Sequence, residues 1–103
     1  MFITDRNSKI TYLVDSGSDV SVIPRNLAGK IDFDHHYEVT AANGTVIPTQ
    51  GLKTIEVEIG FPKSFIWNFI VAEVDTPIIG GDFLKAFHIL PDLNKKLLIN
   101  GET

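Results

Sequence analysis

The chain has 103 residues, 44% hydrophobic and 21% charged, with nine Lys+Arg against thirteen Asp+Glu for a net charge of −4. That length suits one compact domain and not two, and the composition is that of a globular chain, not a disordered one. No apolar run approaches the roughly 20 residues that cross a bilayer, and the amino terminus carries no signal-peptide pattern. The mild acidity, without any Lys/Arg cluster, speaks against nucleic acid or a membrane surface as partner. Cysteine is absent, which excludes disulfides, thiolate metal sites and a cysteine nucleophile.

Met1 to Thr4 and Ile10 to Val14 read as strands of a hairpin around the polar turn Asp5-Arg6-Asn7-Ser8-Lys9. Asp15-Ser16-Gly17-Ser18 breaks the apolar pattern, and Val20, Val22 and Ile23 resume it until Pro24. Tyr37 to Thr40 and Thr45 to Ile47 form the arms of a second hairpin, with Asn43-Gly44 at its tip, a pair that favours a type I′ turn. Ile55, Val57 and Ile59 alternate with Thr54, Glu56 and Glu58, one face buried and the other wet. Phe65 to Val71 is apolar on both faces except at Asn68, the pattern of an interior strand. A single helix follows, with Asp82 as N-cap after Gly80-Gly81 and Phe83, Leu84, Ala86 and Phe87 as its apolar stripe. Ile89 to Asn100 reads as a last hairpin turning at Asn94-Lys95-Lys96. Short strands, close turns and one late helix make an all-β sandwich or barrel.

The segment richest in chemistry is Tyr12-Leu13-Val14-Asp15-Ser16-Gly17-Ser18-Asp19-Val20-Ser21-Val22-Ile23. It sets a carboxylate between two apolar strands, where it is expected to be partly buried and in need of donors. Ser16 offers a hydroxyl, and Gly17, without a Cβ, lets its N–H come close. By itself Asp-Ser-Gly is also a common turn, in which Asp bonds its own backbone. A phosphorylation-dependent linear motif running to Ser21 would need an exposed flexible segment, and apolar runs flank this one.

The order of features along nearly the whole chain resembles the retropepsin family, the homodimeric aspartic proteases of retroviruses and LTR retrotransposons. Its nearest flavour is the gypsy class, on Thr4-Asp5-Arg6, Val14 to Pro24, Ala41-Ala42-Asn43-Gly44-Thr45 and Gly80-Gly81-Asp82-Phe83-Leu84. The resemblance implies one domain over residues 1–103, a closed barrel-like all-β fold with a flap hairpin and one short helix. It further implies a homodimer that cleaves a retroelement polyprotein in the cytoplasm or within virus-like particles, with a peptide as substrate and no cofactor.

Two-lobed aspartic proteases carry two Asp-[Ser/Thr]-Gly elements; this chain carries one, so a dyad requires an Asp15 from each of two copies about a C₂ axis. By the resemblance, Asp15 is catalytic, and the Ser16 hydroxyl bonds the partner's backbone beneath the dyad. The Gly17 carbonyl accepts from substrate, and Asp19 contacts the substrate main chain. Ala42, Asn43 and Gly44 belong to the flap, and Ile78-Ile79-Gly80 supports the dyad loop. Gly81 stands where retroviral members place an Arg that pairs with the acid equivalent to Asp19; Arg6 is then the nearest candidate partner. Apolar subsites are expected from Val20, Val22, Ile47 and Ile79. Leu90 to Asn100 is long enough for its own hairpin, so the dimer sheet is expected to differ from that of enzymes with short tails.

Other constellations are weaker. His35 and His36 would point to opposite sides of a strand, His88 stands apart from them, and no metal site is expected. Ser18 and Ser21 have no nearby His-Asp pair for a serine triad. Trp67, Phe65 and Phe69 recur at strand spacing without basic neighbours and read as core. Asn43-Gly44-Thr45 matches a glycosylation sequon, expected to be unused. The alternative to an active peptidase is a retropepsin-like domain that dimerises or binds peptide without turnover.

Overall fold

A buried carboxylate organises the first hairpin. Phe2–Thr4 (β1) and Thr11–Val14 (β2) pair antiparallel, Phe2 opposite Leu13 and Thr4 opposite Thr11, as the apolar runs predict. The computed structural model describes residues 1–33, 38–41, 43–92 and 97–100. In the turn between β1 and β2, the Asp5 carboxylate is fully buried and accepts from the Asn7 N–H (3.0 Å), the Ser8 hydroxyl (2.7 Å) and the Glu58 N–H (2.9 Å). The Arg6 N–H donates to the Glu58 carbonyl at 2.9 Å, so the turn is tied to a segment more than fifty residues away.

Beyond the polar loop at residues 15–21 come Val22–Pro24 (β3) and a single helical turn, Arg25–Ala28 (α1). This second helix was not expected, since four residues carry no recognisable stripe. Val39–Thr40 (β4) pairs antiparallel with Val46–Ile47 (β5). The hairpin is as predicted, but its tip is not a type I′ turn. The Gly44 N–H bonds the Ala41 carbonyl and the Ala41 N–H bonds the Thr45 carbonyl, with Gly44 at φ +87°. That is the longer connection in which one glycine after the turn takes the left-handed conformation. Ala42, Tyr37 and the pair His35-His36 lie outside the described residues.

The long strands Thr49–Val57 (β6) and Phe65–Ala72 (β7) pair antiparallel, and two residues, Ile78–Ile79 (β8), precede the helix Gly81–Ala86 (α2). Ile89–Asp92 (β9) and Leu97–Asn100 (β10) close the chain as the expected hairpin; its turn lies outside the described residues. The main sheet has the order β1-β2-β8-β3-β7-β6. The closed barrel is not found. Among the described residues this sheet is open at β1 and β6, and β4–β5 and β9–β10 pair only with each other, so no strand joins the two edges.

Alternation along β7 divides the interior. Phe65, Phe69 and Val71 face a core shared with Tyr12, Ile23, Ile79, Phe83 and Leu84, while Ile70 and Ala72 face a second cluster with Val22, Val39 and Leu52. Only the final residues of β7 are flanked on both sides, by β3 and β6. Its first half therefore departs from the interior-strand expectation: Ile66 is 63% exposed, and Asn68 accepts from the Thr54 hydroxyl opposite it. Phe83 of α2 is buried against the rings of Phe65, Trp67, Phe69 and Phe87, with centroids 4.8 to 6.4 Å apart. Tyr12 packs on Phe69, and its buried hydroxyl has no hydrogen-bond partner among the described residues. Burial first, and the Asp5 charge second, push its pKa far up.

Burial raises the pKa of Asp5, but the Glu58 amide, the Ser8 hydroxyl and the Asn7 and Ser8 amides together outweigh it and hold the carboxyl below its ordinary value. A carboxyl lowered by folding contributes stability above its unfolded pKa and loses it as pH falls through the folded one. We therefore expect the free energy of unfolding to decline below about pH 4. Asp5→Asn should flatten that decline and cost about 1–3 kcal/mol at neutral pH, read by denaturant titration across pH. An unchanged pH profile in the variant would show that Asp5 does not anchor the turn.

Candidate active site

The placement of Asp15 follows from which strands are neighbours. β2 and β3 are consecutive in sequence but do not pair. β8 lies between them, parallel to β2 (Leu13 opposite Ile78, Val14 opposite Ile79) and antiparallel to β3 (Val22 opposite Ile78). Residues 15–21 must therefore arch across the end of β8. The Asp15 N–H donates to the Ile79 carbonyl at 3.0 Å, the Ser18 N–H closes a turn on the Asp15 carbonyl at 3.1 Å, and the Gly81 N–H donates to the Ser18 carbonyl at 2.6 Å.

Gly80 runs directly beneath this arch. A Cβ on it would stand 2.4 Å from the Val20 carbonyl oxygen and 2.8 Å from that of Ser18, so no side chain fits. Its backbone is extended, so it is space and not a left-handed φ that requires glycine. At Gly81 a Cβ would lie 3.3 Å from the carbonyl oxygens of Ser16 and Ser18, another close fit. The supporting role expected of Ile78-Ile79-Gly80 thus has a geometric basis in this chain.

At the top of the arch the Asp15 carboxylate is exposed within the single chain, which corrects the expectation of partial burial. The loop lifts the side chain clear of the sheet, and nothing among the described residues covers it. The Gly17 N–H donates to Asp15 Oδ1 at 3.0 Å, and a Cβ on Gly17 would sit 3.3 Å from that oxygen, a close fit against the carboxylate. Ser16 does not donate to Asp15; it is exposed, and its hydroxyl has no partner among the described residues. The Ser18 hydroxyl donates to the Val20 carbonyl at 2.8 Å. Asp19 is exposed. Arg6 does not approach it, because the β1–β2 turn lies at the opposite end of β2, bonded to Glu58.

Asp15, Gly17 and Asp19 form one wall of a cavity of about 630 Å³, with Val20, Val22, Ile47 and Ile78 among its apolar lining. Ile78 replaces the expected Ile79, which is fully buried in the core, because the alternation of β8 turns only one of the pair toward the cavity. Thr40 and Ala41 of the β4–β5 hairpin border the same space, and Asn43 and Gly44 are exposed at its tip. On the far side of the loop, a second cavity of about 400 Å³ is lined by Ser16, Leu84, Ile89 and Leu90.

Beneath the loop lies a polar network that the sequence pattern did not disclose. Asp82 is the second residue of α2, not its N-cap, which is Gly80. Its carboxylate accepts from the Ser21 N–H (3.0 Å), the Ser21 hydroxyl (2.7 Å), the Trp67 indole N–H (3.3 Å) and the Phe83 N–H (2.8 Å). The Gly80 N–H in turn donates to Ser21 Oγ at 2.9 Å. Ser21 is fully buried, which also removes it as an acceptor of phosphate. The one available signal was a serine set inside the apolar run Val20 to Ile23, a polar group that must find a partner when buried.

No family model and no curated protein matches the chain. Solved structures do. The retroviral protease-like domain of Ddi1 from Leishmania major superposes with a TM-score of 0.75 at 20% identity, covering 100% of this chain and 89% of that one. EIAV protease, solved with the inhibitor HBY-793, superposes with a TM-score of 0.66 at 16% identity, covering 85% and 86% of the two chains. The chain therefore has the retroviral protease-like fold.

Gly80→Ala tests the packing beneath the arch. A methyl group 2.4 Å from a carbonyl oxygen forces the loop to move. We expect a loss of about 1–3 kcal/mol in unfolding free energy, read by chemical denaturation. A variant as stable as the wild type would mean that the loop does not rest on Gly80.

Proposed function

We propose that residues 1–103 are a single aspartic peptidase domain that acts as a homodimer, each copy supplying Asp15 to a shared dyad. The observation that carries this reading is the exposed Asp15 carboxylate, held on a backbone-pinned loop at the wall of an apolar cavity within a retroviral protease-like fold. The chain has one Asp-Ser-Gly element, so the second acid comes from a second copy.

Two carboxyls about 3 Å apart cannot both ionise, and so they share one proton. The ionised Asp15 takes a proton from a water lodged between them, and the protonated Asp15 donates to the scissile carbonyl. The water oxygen adds to the carbonyl carbon, giving a gem-diol. Collapse of the diol, with proton transfer to the leaving amine, breaks the C–N bond. In this reading the Ser16 hydroxyl, without a partner among the described residues of its own chain, bonds the partner's backbone. The Gly17 carbonyl and Asp19 take the substrate main chain, and the β4–β5 hairpin, with Ala42, Asn43 and Gly44, closes over it.

The surface available for the second copy adjoins the Asp15 loop. Leu90 and Ile99 stand opposite each other in the β9–β10 ladder, 58% and 42% exposed, and Leu90 borders the cavity that also includes Ser16. An outward apolar pair on a two-stranded ribbon, continuous with the loop that bears the acid, suits a dimer built from C-terminal hairpins. The substrate is an extended peptide with apolar side chains for the pockets of Val20, Val22, Ile47 and Ile78. A retroelement polyprotein, cut in the cytoplasm or in virus-like particles, is the setting the gypsy-like motifs suggest.

Cleavage of a peptide library between about pH 4 and 7 tests this directly. The wild type should cleave, and Asp15→Asn should lose activity by about 10²–10⁴-fold with its dimer intact. Equal cleavage by both would remove Asp15 from the chemistry. Peptide binding without cleavage by either would favour the non-catalytic reading.

A further inference from the structure

Asp82 stands outside the cavity that holds Asp15, yet it joins the three elements that shape the Asp15 loop. Through Ser21 it holds the end of the loop, where the chain enters β3; through the Ser21 hydroxyl it holds Gly80 beneath the arch; through Trp67 it holds β7. The beginning of the loop is held separately, by the Ile79 carbonyl on the Asp15 N–H. The sense of the hydrogen bonds is determined throughout. A carboxylate only accepts, so the Ser21 hydroxyl proton points to Asp82 and leaves an oxygen lone pair for the Gly80 N–H. Among the described residues the four donors to Asp82 are all neutral.

We propose that Asp82 is a positioning residue for Asp15: its carboxylate, acting through Ser21 and Gly80, sets the height and tilt of residues 15–20 and so the aim of the Asp15 side chain. The Gly80 backbone carries the carbonyls of Ser18 and Val20 at van der Waals contact, and Gly81 donates to Ser18. If Gly80 loses its tie to Ser21, the floor of the arch is free to shift, and Asp15 moves with it. A displacement of about 1 Å at a reacting group costs on the order of 10²-fold in rate while leaving substrate contacts elsewhere in place. Asn at position 82 would keep an acceptor oxygen for part of the donor set but would turn an N–H toward a neighbouring donor, so it restores the network only in part. This inference rests on the reading of Asp15 as the catalytic acid, and the experiment separates the two.

Wild type, Asp82→Asn, Asp82→Ala and Ser21→Ala are compared as folded chains by steady-state peptide cleavage and by amide hydrogen exchange at Asp15, Gly17 and Ser18. The expected result is a fall in kcat of about 10²-fold for Asp82→Ala, with KM within about twofold, and an intermediate value for Asp82→Asn. Ser21→Ala should also lower kcat, because it removes the link to Gly80. The loop amides should exchange at least about tenfold faster, while those along β6 and β7 keep wild-type rates. Unchanged kcat and loop exchange in a folded variant would overturn the proposal. So would exchange that accelerates equally across the sheet, which would make Asp82 a brace for the whole fold. Should Asp82→Ala not fold, Asp82→Asn and Ser21→Ala decide by the same criteria. Absence of cleavage by the wild type would remove the peptidase reading, and exchange at the loop amides alone would then decide whether Asp82 holds the loop.

Discussion

The structure depends on the insertion of a two-residue strand between two neighbours in sequence. Because β8 separates β2 from β3, the chain between them has to cross over the end of β8, and the crossing leaves no space for a side chain at residue 80. Everything said of the site follows from that crossing. It lifts Asp15 off the sheet, turns Ile78 to the cavity and Ile79 to the core, and brings Ser21 against Asp82. The backbone hydrogen bonds at Asp15, Ser18 and Gly81 leave the loop little freedom, a condition for aiming a single carboxylate.

Much of this was legible in the sequence where local pattern and final environment agree. The first hairpin, the alternation along β6 and the C-terminal hairpin were readable because each is a local unit with its apolar residues on one face. The site loop was readable as a polar break between apolar strands. What was not legible depends on partners distant in sequence. Asp82 looks like a helix cap when only its neighbours are considered, yet its carboxylate reaches Ser21, sixty-one residues earlier. Which of Ile78 and Ile79 faces the cavity follows from the pairing of β8, not from the residues, which are identical. Ile66 lies in an apolar run, but the strand that would cover it is absent at that end of β7. Barrel closure likewise depends on the pairing of sheet edges, and strand count alone does not decide it.

The exposure of Asp15 is informative on the same grounds. A proton shared between two carboxyls arises only when a second acid is brought near and both are shielded from water. The chain supplies a backbone-pinned mount for one acid, an exposed hydroxyl beside it at Ser16, and an adjoining apolar surface at Leu90 and Ile99. Ser16 and Leu90 border one cavity beside the Asp15 loop, features of little use to a monomer. The proposed two-fold assembly would employ all of them.

The central claim is that catalysis needs one Asp15 from each of two chains, and subunit mixing measures this most directly. Wild-type chains are equilibrated with increasing fractions of Asp15→Asn chains at constant total concentration, and peptide cleavage is recorded. The account predicts that activity falls as the square of the wild-type fraction, since only wild-type pairs hold a complete dyad. Activity that falls in simple proportion to the wild-type fraction would mean that each chain works alone, and would contradict it.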